Sequence, residues 1–235
     1  MSVDQTVGGS RLSMRNSNQQ KLSGIRNALS DAGFHVERSI AESDVARYCN
    51  ALGETVPDPR TRTVTREISP THASRASENT LSARHGLGRF PLHSEAAFLM
   101  RPPRYLVLYC LSPGSCRRAT ELLDCAPLIN QLIADERPSS WVVRSGRPPF
   151  LCQIVQDCNA EGQLFRHDPN CVFPAGRGAR EQQRQISAFI DRNAVQAIHW
   201  ALGDLLIIDN WRVLHGRAAS TRHDNDRLLR RILVN

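Results

Sequence analysis

Gly203-Asp-Leu-Leu-Ile-Ile-Asp-Asn-Trp-Arg-Val-Leu-His-Gly-Arg217 is the stretch on which the fold turns. Leu205 to Ile208 places large aliphatic residues in succession, with Gly203-Asp204 before them and Asp209-Asn210 after. A short apolar run between turn formers reads as a buried strand. It delivers Asp209 and Asn210 to a turn, and His215 follows five residues after Asn210. A lone imidazole there says little about chemistry. It becomes informative if partners reach it from elsewhere in the chain.

The candidate partners lie about 120 residues earlier, in Phe90-Pro-Leu-His-Ser-Glu-Ala-Ala-Phe98. Residues i and i+2 of an extended segment project from the same face. His93 and Glu95 therefore offer an imidazole nitrogen and a carboxylate oxygen to one point. The plain alternative is a surface His beside a solvated Glu. Two sheets packed face to face could bring His93, Glu95 and His215 together across a cavity. Two imidazoles and one carboxylate on one face of an octahedron suit iron(II) and leave positions open for a chelating co-substrate and dioxygen.

Outward from these two stretches the chain reads as many strands and a few helices. Helices are expected over Leu22 to Ala32, Val45 to Leu52, Pro127 to Ala134 and Ala179 to Ile190,. Strands are expected over Phe34 to Glu37, Thr63 to Ile68, Tyr105 to Leu111, Ala119 to Asp124 and Leu228 to Val234, with two or three more between Trp141 and Phe165,. Ser69 to Gly88 is polar and reads as a long loop or lid. The fold class is therefore mainly β with flanking helices, a double-stranded β-helix or jelly roll. A doubly wound α/β sheet lacks its regular strand–helix alternation here, and no Gly-rich phosphate loop is present. Residues 1–20 are rich in Ser, Asn and Gln and read as a flexible arm before a single domain of residues 21–235.

Composition sets further bounds. At 235 residues and 40% hydrophobic content the chain can bury a sizeable core,. No apolar run approaches a membrane span, and the N-terminus has no signal-peptide core, so a cytoplasmic location is expected. Seven cysteines with no CxxC pair argue against a disulfide framework and a zinc ribbon,. The net charge of +7 raises nucleic acid as a partner,. Lys21 is however the only lysine among 30 basic residues, and the arginines are spread along the chain. That is not a phosphate-tracking stripe, and a small molecule is the expected partner.

Taken together, the chain resembles the TauD/TfdA and clavaminate-synthase-like family of iron(II)/2-oxoglutarate-dependent dioxygenases, from about Ala32 to Val234. The resemblance is carried by Asn79-Thr-Leu-Ser82, Pro91-Leu-His-Ser-Glu95, Pro102-Pro-Arg-Tyr-Leu-Val-Leu-Tyr-Cys110, the segment around Thr120, and Gly203 to Arg231. It implies His93, Glu95 and His215 as ligands of Fe(II), with 2-oxoglutarate and O2 as co-substrates. It also implies a carboxylate-binding Arg after the distal His. Arg227 and Arg231 fit an Arg-x-x-x-Arg pattern, and residues 227, 229, 231 and 233 share one face of a strand. By the resemblance Arg227 clamps the distal carboxylate of 2-oxoglutarate with help from Thr120, since a guanidinium can hold a carboxylate through two parallel bonds. Arg231 lies towards the substrate, and Arg166, Asp168, Asn79 and Ser82 are further candidates for the substrate pocket.

The expected reaction is hydroxylation of an unactivated C–H bond of an amino acid or natural-product intermediate, releasing succinate and CO2. Halogenating relatives replace the carboxylate by a small residue, so Glu95 argues against halogenation. Desaturation and cyclisation by the same oxidant stay open, as does a metal-dependent jelly-roll hydrolase or isomerase that uses no 2-oxoglutarate.

Overall fold

A computed structural model describes residues 23–78, 80–135, 137–219 and 226–235. The expected arm of residues 1–20 and Asn79 lie outside the described residues. The chain builds two principal antiparallel sheets. The larger has six strands: β1 (Phe34–Glu37), β13 (Leu205–Asp209), β5 (Tyr105–Ser112), β15 (Leu228–Val234) and β2 (Thr55–Val56) in that order, with β3 (Thr65–Ile68) also paired to β15. The smaller has β12 (Gln196–Ile198), β6 (Thr120–Asp124), β14 (Val213–Arg217) and β4 (Phe90–His93). A three-stranded sheet of β11 (Val172–Ala175), β7 (Ser140–Val143) and β8 (Phe150–Cys152) covers one side, and β9 (Val155–Asp157) pairs with β10 (Gln163–Phe165).

Period-two alternation sorts the strand residues between layers. Leu106, Leu108 and Cys110 of β5 join Leu206 and Ile208 of β13, Leu229 and Leu233 of β15, and Leu122 and Val213 of the smaller sheet in one core between the sheets. The intervening Val107, Tyr109, Leu205, Ile207, Ile232 and Val234 point the other way. They pack on the helix of residues 23–32 (α1) and on α2 (Val45–Leu52). Behind the smaller sheet, Leu92, Leu123 and Leu214 pack on α4 (Ala126–Ile133), α5 (Arg177–Arg192) and the three-stranded sheet. Trp141 anchors that layer, its indole N–H donating to Gln182 Oε1 at 3.0 Å.

The strand that opens the decisive stretch is fully buried, as Leu205 to Ile208 requires. Residues 69–88 are not all loop. They contain a short helix, α3 (Leu81–His85), because Thr80 in extended conformation accepts the Ala83 N–H at 3.1 Å and caps the first turn,. All seven cysteines are free thiols. Among the described residues no helix is long and apolar enough to cross a membrane.

Arg166 corrects an expectation. It is fully buried, and its guanidinium donates to the carbonyls of Ala97, Leu99 (2.5 Å) and Met100 (2.8 Å) while stacking over Phe150. It therefore ties down the chain after the His-x-Glu triplet instead of facing the substrate pocket. A buried cation has to find acceptors, and here backbone carbonyls supply them. Arg166→Ala leaves those carbonyls unsatisfied and costs about 3 kcal/mol or more. In a thermal melt this appears as a drop of roughly 6–12 °C for a domain of this size; a residue that only touched substrate would leave the melting temperature unchanged.

Candidate metal centre

The site lies where β4 pairs with β14. His93 and His215 are register partners on these antiparallel strands, so both imidazoles leave the same face. Their ring centroids are 4.3 Å apart, with planes tilted by 46°. Gly216 permits the close approach of the strands: a Cβ there would lie 2.8 Å from the Phe90 carbonyl oxygen. Ligand atoms of His93, Glu95 and His215 all fall within 4.8 Å of one another.

Glu95 sits past the end of β4 and is fixed from several directions. Asn210, in the turn after β13, accepts the Glu95 N–H at 2.6 Å and donates to the Glu95 carbonyl at 3.1 Å and the Pro103 carbonyl at 2.9 Å. Between His93 and Glu95, the Ser94 N–H donates to the His167 carbonyl at 2.6 Å. Ala96 then takes a positive φ of 54°, turning the chain away from the site. Within the carboxylate, Oε1 accepts from Arg231 Nη1 at 2.7 Å and from the Ala96 N–H at 3.2 Å. Oε2 stands 3.8 Å from His215 Nε2, too far for a hydrogen bond,. One oxygen is thus occupied by the protein, and the other faces the imidazoles.

The protonation states suit a cation. His93 Nδ1 lies 2.9 Å from the Pro91 carbonyl, which fixes the proton on Nδ1 and leaves the Nε2 lone pair available,. Burial, then the neighbouring His93, push His215 down to about 3, so it is neutral at physiological pH. Burial raises the Glu95 carboxyl, but Arg231, His215 and His93 outweigh it and hold the group at about 2. His215 Nδ1 is buried and has no hydrogen-bond partner. Two imidazoles and one ionised carboxylate oxygen facing each other without a hydrogen bond between them fit a divalent metal better than a closed hydrogen-bond network,.

Arg231 lines the cavity, but both guanidinium Nη atoms are already engaged. Its Nη2 donates to Asp58, while Nη1 holds Glu95. Asp58 is only 2% exposed and also accepts the N–H groups of Arg60 (2.8 Å) and Thr61 (3.0 Å). Burial raises this carboxyl, yet the Thr61 N–H, the Arg231 charge and the Arg60 N–H together lower it from 3.8 to about 2. A depressed carboxylate stabilises the fold above its unfolded value, and that stability is lost as pH falls through the folded value. The Asp58 contribution is about 2 kcal/mol. Between pH 5 and pH 2, Asp58→Asn should therefore lose about 2 kcal/mol less stability than the parent protein, as read from denaturant unfolding at each pH.

Farther along the same cavity, Thr120 Oγ1 accepts from Arg227 Nη2 at 3.2 Å and from the Trp200 indole at 3.0 Å. Arg227 immediately precedes β15 and lines the cavity, as does Arg231 within the strand. The cavity has a volume of about 780 Å³ and is lined by the His–Glu–His cluster, Thr120, Arg227 and Arg231. Leu106, Leu108 and Leu229 supply an apolar wall. Ser82 and Asp168 also line it. Asp168 already accepts the N–H and side-chain amide of Asn170, at 2.8 and 3.0 Å. Asp58, Trp200 and the pinning role of Asn210 escaped the sequence reading. Only the Asn210 position, next to the end of an apolar strand, carried a signal.

Residues 160–233 match the family model described as taurine catabolism dioxygenase TauD, TfdA family. The L-asparagine oxygenase of Streptomyces coelicolor is 31% identical over 156 residues, which are 60% of this chain and 46% of that one. Residues 160–233 are thus similar to the TauD/TfdA dioxygenases. The match to the L-asparagine oxygenase spans less than half the length of that curated relative. The structure of an asparagine oxygenase with Fe(II), (2S,3S)-3-hydroxyasparagine and succinate superposes with a TM-score of 0.74 at 17% identity, covering 93% of this chain and 79% of the other. The non-heme iron oxygenase OrfP, solved with Fe and alpha-ketoglutaric acid, gives 0.69 at 20% identity, with 92% and 80% covered. At these identities the likeness establishes the fold: mainly β, with antiparallel sheets and flanking helices, as in TauD-like oxygenases.

Proposed function

We propose that this chain is an iron(II)- and 2-oxoglutarate-dependent dioxygenase that hydroxylates a C–H bond of a small molecule. The observation that carries the proposal is the convergence of His93, Glu95 and His215 ligand atoms within 4.8 Å at the wall of a large cavity. The two facing sheets are read as a double-stranded β-helix, and residues 21–235 as one domain. The three cores support that reading, because they share the same strands on opposite faces.

When bound, the iron supplies oxidative decarboxylation of 2-oxoglutarate to succinate and CO2, coupled to oxidation of the substrate. His93 through Nε2, His215, and Glu95 through Oε2 would hold it. The cavity in front of these three residues is where the co-substrate would enter. Arg227 and Thr120 would receive the distal carboxylate of 2-oxoglutarate, Trp200 holding the hydroxyl in place from behind. The leucine wall excludes water from the reacting centre. Arg231 is assigned a positioning role: backed by Asp58, it fixes Oε1 so that Oε2 faces inward. Ser82 and Asp168 border the substrate side. The 3-hydroxyasparagine held by the related asparagine oxygenase supports an amino acid or amino-acid derivative as substrate. The Glu95 carboxylate, occupying the third ligand position, favours hydroxylation over halogenation.

The test is anaerobic addition of iron(II) and 2-oxoglutarate, following the weak visible charge-transfer band of the chelate. The band is expected in the parent protein and in His72→Ala, and is expected to be lost in His93→Ala. Its absence from the parent protein would sink the dioxygenase assignment.

A further inference from the structure

Thr120 carries a hydroxyl whose acceptor positions are both taken. It opens β6, and its register partner in β12 is Ile198. Trp200 follows Ile198 by two residues, and its indole N–H reaches back to Thr120 Oγ1 at 3.0 Å. Arg227 Nη2 donates to the same oxygen at 3.2 Å. Neither an indole nor a guanidinium can accept a hydrogen bond, and a threonine hydroxyl has two lone pairs and one proton. Two such donors leave Thr120 only its proton to offer. Among the described residues nothing accepts that proton, although Thr120 is buried. The side chain has one other neighbour, the cavity that it lines. Trp200 packs in the core between the sheets and does not line that cavity.

Resting on the dioxygenase reading, we infer that Trp200 is a positioning residue that turns the Thr120 hydroxyl into an obligate donor aimed at the cavity. The indole acts through Thr120 and touches no co-substrate itself. The far end of the co-substrate seat then offers donors from both Thr120 and Arg227. A carboxylate satisfies both. A carboxamide of the same size also presents an NH2 group, which meets no acceptor from Thr120 and is rejected for that reason. Without the indole, the hydroxyl is free to rotate and can turn a lone pair towards that NH2. The two incoming donors also polarise the hydroxyl and strengthen its own bond to an oxyanion. A buried indole N–H needs some partner in any fold. A bond made only to meet that need would leave the choice between carboxylate and amide unchanged when broken.

The test compares 2-oxoglutarate with its distal amide, 2-oxoglutaramate, by anaerobic titration of the charge-transfer band on the full iron(II)-loaded chain. The parent should prefer the carboxylate by about 10²-fold or more. Trp200→Phe should cut that ratio about fivefold. It should cut it by a similar factor in Thr120→Ser, which keeps the hydroxyl. In Thr120→Val it should change the ratio by less than about twofold, because the group through which the indole acts is gone. A ratio that Trp200→Phe leaves unmoved overturns the inference, as does an equal loss in the Thr120→Val background. Should Trp200→Phe fail to fold, indole NMR decides. The chain has three tryptophans and hence three indole N–H resonances. Thr120→Val should move one of them, and 2-oxoglutarate added to the zinc(II)-loaded parent should move the same one. Indole signals indifferent to both overturn the inference. No band in the unmutated protein removes the dioxygenase reading and the inference with it. A band whose ratio ignores Trp200 removes the inference alone.

Discussion

His215→Ala lowers turnover by about 10³-fold or more and removes stoichiometric iron binding, measured as succinate formed and as metal retained after desalting. In the proposed site, loss of one of three ligands leaves only Glu95 and His93 on a single short segment, too few groups to retain the metal. The effect should be specific to the metal. The imidazole contributes no hydrogen bond through Nδ1, and its backbone pairs with Leu122 of β6 and His93 of β4 whatever its side chain. The variant should therefore keep the far-UV spectrum of the parent. Unfolding of His215→Ala would contradict this account, because the loss of activity would then have a structural cause.

Arg227→Lys raises the 2-oxoglutarate concentration needed for half-maximal turnover by about 10²-fold. Lysine keeps the charge but cannot form two parallel bonds to a carboxylate, and it would sit in a buried site shaped for a planar fork. The selectivity of the defect distinguishes this role from a general loss of stability. Short 2-oxo acids without a distal carboxylate should bind parent and variant with similar affinity, since nothing on them reaches residue 227. Thr120→Val should produce a smaller change, about tenfold, because it removes one neutral partner of the same carboxylate and strands the Trp200 N–H,. An equal defect with every 2-oxo acid would show that Arg227 does not recognise the distal carboxylate.

The elements legible in the sequence are those whose physics is local. Leu205 to Ile208 and Tyr105 to Leu111 announce buried strands because four to seven apolar residues in succession have no other use in a chain of this composition. The shared parity of Arg227 and Arg231 follows from strand geometry, and both line the cavity, Arg227 one residue before β15 and Arg231 within it. The partners of those arginines were not legible. Asp58 follows Pro57 and looks like any turn residue; only the pairing of β15 with β3, which sets Arg231 opposite Arg66, carries it to the Arg231 guanidinium. Arg166 shows the reverse error: next to His167 and Asp168 it suggested substrate binding, but its destination depended on carbonyls about 66–69 residues away. The helix at Leu81–His85 was hidden by polar composition, although its Thr80 cap could have been noticed.

The pairing of His93 with His215 has a consequence for how the protein lives with its metal. A small zinc domain commonly has no fold until the ion arrives, so that metal and structure are gained and lost together. Here the two imidazoles ride on neighbouring hydrogen-bonded strands, and the missing side chain of Gly216 lets those strands close up. The carboxylate is held by Asn210 and Arg231. Each of these constraints is made by protein groups alone. Treatment with a chelator is therefore expected to remove iron without unfolding the chain, so that far-UV circular dichroism stays that of the parent.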